Sequence, residues 1–458
     1  MYKIDFKHPI HVHFIGIGGI SMSGLARVLL MEGFKITGSD LAKSPVTKEL
    51  QDLGVQIFYG QVASNIIQGI ECVVYTAAIS PENEELQMAK SKNLPLLTRA
   101  ELLGQIMSIY KHPIAVAGTH GKTTTTSMIS TVLLQSGLDP TISVGGILPL
   151  IKGNIRVGNS DIFITEACEY TNSFLDFNPK IGIILNIEED HLDFYKDLDD
   201  IMNSFHLFAK KLPKDGTLII NGEIKNVEQI TENLNCKVIT YGLEGDYDYS
   251  ATNITYGDNG NVSFDLIKSG EILTRVTLFV TGEHNVSNAL ATFAIGELLG
   301  LSIDKIKETI IDFKGTVRRF EYKGHFDGVH VIDDYAHHPT EILTTLNSVK
   351  HFPHKKLWCV FQPHTYTRTK SLFDDFVKVL SKVDYLILVD IYAAREKNTV
   401  GISSEDLLTK IKELGTDANY FSDFAKVEDF LKKNCLPGDL LITVGAGNVV
   451  DIGENLLK

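Results

Sequence analysis

Short apolar runs, glycine turns and amphipathic stretches alternate along the chain. The first run, His13-Phe14-Ile15-Gly16, leads into a glycine cluster and an amphipathic segment over 23–32. Phe34-Lys35-Ile36-Thr37-Gly38 follows, ending near the acidic Asp40. That order predicts strand, turn, helix, strand, a βαβ unit. Further strands are predicted over 72–76 and 94–97.

A second unit begins near Lys111. A strand over 114–117 runs into Gly118-Thr119-His120-Gly121-Lys122-Thr123-Thr124 and a helical stretch to Leu134. Strands over 162–165, 181–186 and 217–220 come next. Between Tyr249 and Val280 polar and apolar positions alternate, with the turn signal Asp258-Asn259-Gly260, which predicts an antiparallel patch on a parallel sheet. A third unit starts near Val317, with strands over 330–332, 357–361, 385–388 and 440–444 between helical stretches. Alternation of this kind implies parallel sheets wrapped by helices. The expected fold class is α/β in three domains: a Rossmann-like domain over 1–110, a P-loop-type domain with a mostly parallel sheet over 111–316, and a second Rossmann-like domain over 317–458.

Composition narrows the function. The 458 residues are 44% hydrophobic, enough for several cores, and the net charge is −14. That excess of acid argues against a nucleic-acid surface, although a pocket can still set its own local field for an anionic small ligand. No apolar run is long enough for a membrane span, and the first ten residues lack a signal-peptide core. Five scattered cysteines (Cys72, Cys168, Cys236, Cys359, Cys435) form no CxxC pair, so reduced thiols in a cytoplasmic protein are expected.

The strongest chemical signal is the 118–124 loop between strand and helix. Its backbone N–H groups and the helix N-terminus suit a phosphate; Lys122 suits outer phosphates, and Thr123 suits Mg²⁺. Val116 stands where the usual motif has its first glycine. Glu166, after one strand, and His191, past the next, stand where α/β sheets gather ligands. Mg²⁺ prefers oxygen, so His191 reads equally as a ligand or as a packed histidine. Glu169, Glu188, Glu189, Asp190 and Asp193 read as solvated loop charges. Gly16-x-Gly18-Gly19-x-Ser21, with Asp40 after the next strand, nearly matches a dinucleotide fingerprint and would equally cradle a sugar-nucleotide diphosphate. In the third unit, Arg318-Arg319-Phe320-Glu321, Asp333-Asp334-Tyr335-Ala336-His337-His338-Pro339 and the 361–368 segment with Arg368 cluster polar groups at strand ends. The vicinal histidines lack zinc-site spacing and read as a hydrogen-bonded structural pair.

Taken in order, Phe14–Ile20, Gly118–Thr124, Asn186-Ile187-Glu188-Glu189-Asp190-His191, His284-Asn285-Val286-Ser287-Asn288-Ala289, Arg318–Glu321 and Asp334–Pro339 resemble the Mur ligase family of peptidoglycan synthesis over nearly the whole chain. The resemblance implies an ATP- and Mg²⁺-dependent ligase. It would join the lactyl carboxylate of UDP-N-acetylmuramate to L-alanine through an acyl phosphate. The protein would be cytoplasmic, monomeric or homodimeric, with neither nucleic acid nor membrane insertion. A sister activity, attaching a preformed peptide in cell-wall recycling, is the alternative.

The resemblance carries roles residue by residue. Gly118, Thr119, His120, Gly121, Lys122, Thr123, Thr124, Asn285, Asn288, Arg319 and Asp334 would hold ATP. Thr123, Glu166 and His191 would hold metal. Gly16, Gly18, Gly19, Asp40, His337 and Arg368 would meet the UDP-muramyl substrate. Lys122, His191 and His337 would serve the chemistry. Cys168 and Tyr170 depart from the family's E-A-D-E-S, and Ser21 from a common glycine. Two further readings differ in class: a nicotinamide-linked oxidoreductase leaves the Lys122 loop unexplained, and a nucleotide-gated binding protein leaves Arg319, Asp334 and His337 unexplained.

Overall fold

A computed structural model describes residues 2–76, 78–192, 194–257, 260–394 and 396–458. Asp193 and the Asp258-Asn259 turn therefore lie outside the described residues. Three sheets follow one another along the chain. The first contains β1 (His11–Ile15), β2 (Lys35–Asp40), β3 (Gln56–Tyr59), β4 (Cys72–Tyr75) and β5 (Leu96–Thr98), in the order β3-β2-β1-β4-β5. All its recorded pairings are parallel.

The second sheet contains β6 (His112–Ala117), β7 (Thr141–Leu148), β8 (Gly153–Arg156), β9 (Ile162–Ala167), β10 (Ile181–Ile184), β11 (Thr217–Asn221), β12 (Lys237–Gly242), β13 (Tyr249–Tyr256), β14 (Val262–Lys268) and β15 (Glu271–Thr277). Its order is β15-β14-β13-β12-β11-β10-β6-β9-β7-β8. The neighbours of β6, namely β10 and β9, run parallel to it, whereas β8 is an antiparallel edge on β7. The third sheet contains β16 (Glu321–Phe326), β17 (Val329–Asp334), β18 (Leu357–Phe361), β19 (Tyr385–Leu388), β20 (Asp417–Tyr420) and β21 (Leu440–Val444), ordered β16-β17-β21-β18-β19-β20, with only β16 antiparallel.

The central strands are apolar on both faces because helices cover both. In the third sheet Ile332, Cys359, Phe361 and Ile442 pack into one core, while their neighbours Val331, Trp358, Val360 and Leu441 pack into the other. Continuous Val/Ile/Leu runs are what a doubly covered parallel sheet demands. The chain divides into two compact units, Met1–Ala251 with Leu266–Leu273 and Ser287–Asp312, and Thr252–Asp265 with Thr274–Val286 and Phe313–Lys458. The first unit holds a contiguous core that includes Phe14 and Val74 of the first sheet and Ala115 and Ile184 of the second.

Within that unit the helix Arg99–Met107 is seated by a glycine. A Cβ at Gly104 would lie 2.0 Å from the backbone oxygen of Asp176, so no larger residue fits without backbone movement. No helix among the described residues is long and apolar enough to cross a membrane.

Candidate functional site

In the first unit, β6 ends at Ala117 and, after four intervening residues, the helix Lys122–Gln135 begins. The intervening turn needs a left-handed residue at its last position, and Gly121 supplies it with φ 81°. The turn is braced from the neighbouring strand end. The side chain of Asn186 accepts from His120 N at 2.7 Å and donates to His120 O at 3.1 Å. Thr119 N donates to Asn186 O at 3.1 Å, and Thr119 Oγ1 accepts from Glu188 N at 2.9 Å. His120 Nε2 lies 3.6 Å from Glu188.

Lys122 points back along the loop. Its Nζ donates to Glu169 Oε2 at 2.8 Å, to Thr119 O at 3.0 Å and to Gly118 O. Three donors thus meet three acceptors. Burial opposes the ammonium charge, but Glu169 and its neighbours outweigh that, and the Lys122 pKa is raised. Glu169 is therefore not a solvated loop charge: it is 2% exposed and holds the loop lysine. Glu188 and Asp190 are half-buried, and among the described residues of that set only Glu189 is exposed as expected.

Thr123 Oγ1 donates to Glu166 Oε2 at 3.0 Å, and Gly145 N donates to Glu166 Oε1 at 2.5 Å. Glu166 lies inside β9, one residue from its end. A hydroxyl and a carboxylate side by side, beside a loop suited to phosphate, form an oxygen donor set that fits Mg²⁺. His191, at φ 54°, packs its ring against Tyr170 at 4.5 Å. Its Nε2 sits 3.9 Å from Glu169 and 3.8 Å from Asp190. The carboxylate neighbours and the ring contact are both present, so the histidine is packed and faces the site together. Asn288 also belongs here: its Oδ1 approaches Gly121.

The glycine turn after β1 is closed by its own acid. Asp40 Oδ2 accepts from Gly18 N at 2.8 Å, and Gly19 N donates to Gly16 O at 3.1 Å. Gly19 caps the helix Ile20–Met31 without a side-chain bond.

In the second unit the two arginines divide. Arg318 braces the sheet edge, donating to Asp333 at 3.0 Å, Gly445 O at 2.7 Å and Gly447 O at 2.9 Å. The guanidinium of Arg319 lies 5.1 Å from the Tyr335 ring centre. Asp334 accepts from Phe320 N, Ala336 N and Thr345 Oγ1 at 2.9–3.2 Å. Burial pushes its carboxyl up to about 6 against the pull of Arg319.

His337 Nδ1 lies 3.1 Å from Tyr335 O and 3.3 Å from Glu341 Oε2. Both partners are acceptors, so Nδ1 carries the proton and Nε2 the lone pair. Burial holds the His337 pKa below the usual histidine value, although Glu341 opposes it. His338 caps the helix Pro339–Val349, its Nδ1 accepting from Thr340 N at 3.3 Å. The ring of His364 lies 5.6 Å from that of His337, and Arg368 Nη1 lies 3.2 Å from His364 Nδ1. Asn285 donates to Thr281 O at 2.7 Å and lies 3.1 Å from His284 Nε2. Sequence reasoning missed Asn186 as the brace of the loop and Glu169 as the partner of its lysine; both stand within or beside motifs already singled out.

Comparisons with known proteins agree along the whole chain. A family profile described as Mur ligase family, catalytic domain, matches residues 11–111; Mur ligase middle domain matches 116–296; and Mur ligase, glutamate ligase domain, matches 318–447. The chain is 57% identical over its full length to a UDP-N-acetylmuramate–L-alanine ligase of Lachnospira eligens, and 58% identical to one of Agathobacter rectalis, each covered completely. Among solved structures, the UDP-N-acetylmuramate-alanine ligase of Thermotoga maritima superposes with a TM-score of 0.81 at 27% identity, over 98% of both chains. A murein peptide ligase of Psychrobacter arcticus shares the fold, with a TM-score of 0.70 at 23% identity over 98% of both chains.

Proposed function

Since the chain belongs to the Mur ligase family, we propose that it joins L-alanine to the lactyl carboxylate of UDP-N-acetylmuramate in an ATP-dependent step of peptidoglycan synthesis. The observation that carries this is identity of more than half of all positions, end to end, with ligases of that activity.

A carboxylate does not condense with an amine unless its oxygen is made a leaving group. A carboxylate oxygen attacks the γ-phosphorus of ATP, the bond to the bridging oxygen breaks, and ADP departs. The alanine nitrogen then attacks the acyl carbon, the carbon–oxygen bond to phosphate breaks, and phosphate leaves with the electron pair. Phosphoryl transfer of this kind rests on positioning and charge neutralisation.

The loop Gly118–Thr124 cradles the ATP phosphates with backbone N–H groups, and Lys122 turns from one of its present acceptors to an outer phosphate. Asn285, Asn288, Arg319 and Asp334 are assigned to the same nucleotide. Thr123 and Glu166, with His191 near them, would hold Mg²⁺, which supplies countercharge to the triphosphate. Gly16, Gly18 and Gly19 offer their turn to the UDP diphosphate, with Asp40 fixing the turn's shape. His337 and Arg368 are assigned to the muramyl side. With its Nε2 unprotonated, His337 takes the proton that the alanine amine loses. Domain divisions near residues 110 and 316 are part of this reading, supported by three sheets that follow one another along the chain.

The test is ADP release with UDP-N-acetylmuramate and, in turn, L-alanine, glycine, D-glutamate and a muramyl-type tripeptide. Turnover with L-alanine is expected; turnover with the tripeptide alone would place the chain with the peptide-attaching ligases.

A further inference from the structure

Arg99 opens the helix Arg99–Met107 directly after β5, with Thr98 as its cap. It therefore stands at the carboxyl edge of the first sheet, the edge that also carries the 16–19 turn and Asp40. In open α/β sheets that edge is where ligands lie. Its half-buried side chain reaches back across the sheet, and Nη1 donates to Ser21 Oγ at 3.1 Å. Among the described residues that is the one hydrogen bond of the guanidinium, and no carboxylate forms an ion pair with it.

A guanidinium has five N–H donors and is always charged. Partial burial of that charge beside a single hydroxyl is costly, and an oxyanion is the partner that offsets it. The surroundings say where such an anion would sit. Desolvation lowers the Arg99 pKa, and its electrostatic neighbour is Cys168; the same thiol also feels Lys122. Cys168 lies between Glu166, the partner of Thr123, and Glu169, the partner of Lys122. Arg99 thus belongs to the first sheet, while the helix it opens packs on the segment that follows Glu169: Gly104 meets the backbone at Asp176, and Asn178 donates to Gly104 O at 3.1 Å. The UDP-linked substrate brings two anionic groups, a diphosphate and a carboxylate. The 16–19 turn serves the first.

We infer that Arg99 binds the lactyl carboxylate of the substrate and holds it beside the phosphoryl donor, with Ser21 fixing the guanidinium. This rests on the substrate assignment above. The arginine also supplies countercharge where two anions must approach, a task the 118–124 loop alone performs from only one side.

The test compares two ligands with the same nucleotide and diphosphate: UDP-N-acetylmuramate, which has the carboxylate, and UDP-N-acetylglucosamine, which lacks it. Calorimetric affinities are measured for both, and for ATP, on the full-length protein and on Arg99→Ala and Arg99→Lys, with thermal unfolding to confirm folded protein. Arg99→Ala is expected to weaken the muramate roughly tenfold to a hundredfold, the range of a lost charge-assisted contact, while the glucosamine and ATP change less than about twofold. Arg99→Lys should recover part of the loss. If Arg99→Ala does not fold, the lysine variant alone decides: its loss must fall on the muramate. Equal losses for both sugars would move the arginine to the diphosphate and overturn the inference, as would an unchanged muramate affinity. Failure of the unaltered protein to bind either sugar would instead refute the substrate assignment.

Discussion

At the scale of single residues the site is organised around charges that are already engaged. Lys122 is expected to be the least replaceable. Lys122→Ala should lose about 3 kcal/mol or more of transition-state stabilisation, read as a fall of over a hundredfold in alanine-dependent ADP release, with UDP-N-acetylmuramate binding retained. His337 makes a pH prediction. Its pKa is lowered by burial, so its basic form is lost only as pH falls through that lowered value. Activity should therefore persist further into acid than an ordinary histidine of pKa 6.5 allows. In His337→Asn the acid limb of the pH–rate profile should vanish and the rate drop by roughly a hundredfold; an unchanged limb would exclude this histidine as the base. Lys122 and the strand-end Asp334 were legible in the sequence because each sits in a local pattern of strand, turn and helix. Glu169 was not. Its burial depends on a lysine 47 positions away, and nothing local distinguishes a buried glutamate from a solvated one.

Elements explain why the loop keeps its shape. The helix Lys122–Gln135 contributes unpaired N–H groups, but the turn before it is fixed by the end of β10 through Asn186. Asn186→Ala removes a donor and an acceptor from His120. It should cost about 1–3 kcal/mol, raise the KM for ATP more than that for UDP-N-acetylmuramate, and lower the thermal midpoint. Equal effects on both substrates would show that the brace serves the fold rather than the nucleotide. Periodicity located two strands of the third sheet closely. The predicted strand over 357–361 coincides with β18, and that over 385–388 with β19. It placed β17 over 330–332, whereas the strand runs from Val329 to Asp334. The two aspartates are polar and read as lying at the strand end, just past its last apolar residue, yet they pair in register with Thr443 and Val444 of β21. Pairing between distant strands overrode local polarity there.

For the whole molecule, packing of consecutive sheets matters as much as either site. Gly104 lets the helix Arg99–Met107 touch the backbone at Asp176, close in sequence to the carboxylates of the phosphate loop. Gly104→Ala should therefore destabilise the first unit by about 1–3 kcal/mol through overpacking, seen as a lower denaturant midpoint. The same substitution should weaken UDP-N-acetylmuramate binding through the displaced Arg99. The α/β class with three successive sheets was readable because each sheet announces itself by alternation, whereas contacts such as this one join residues some seventy positions apart and leave no periodic trace. The saturated ammonium of Lys122 has an outcome for selectivity. Any incoming anion must displace an internal carboxylate or carbonyl before it is held. A lone sulfate or inorganic phosphate brings too few compensating contacts to do so, and a polyphosphate chain spread along several backbone amides brings enough. Common small salts should therefore be feeble competitors of ATP, and crowding by metabolite anions should leave turnover nearly untouched.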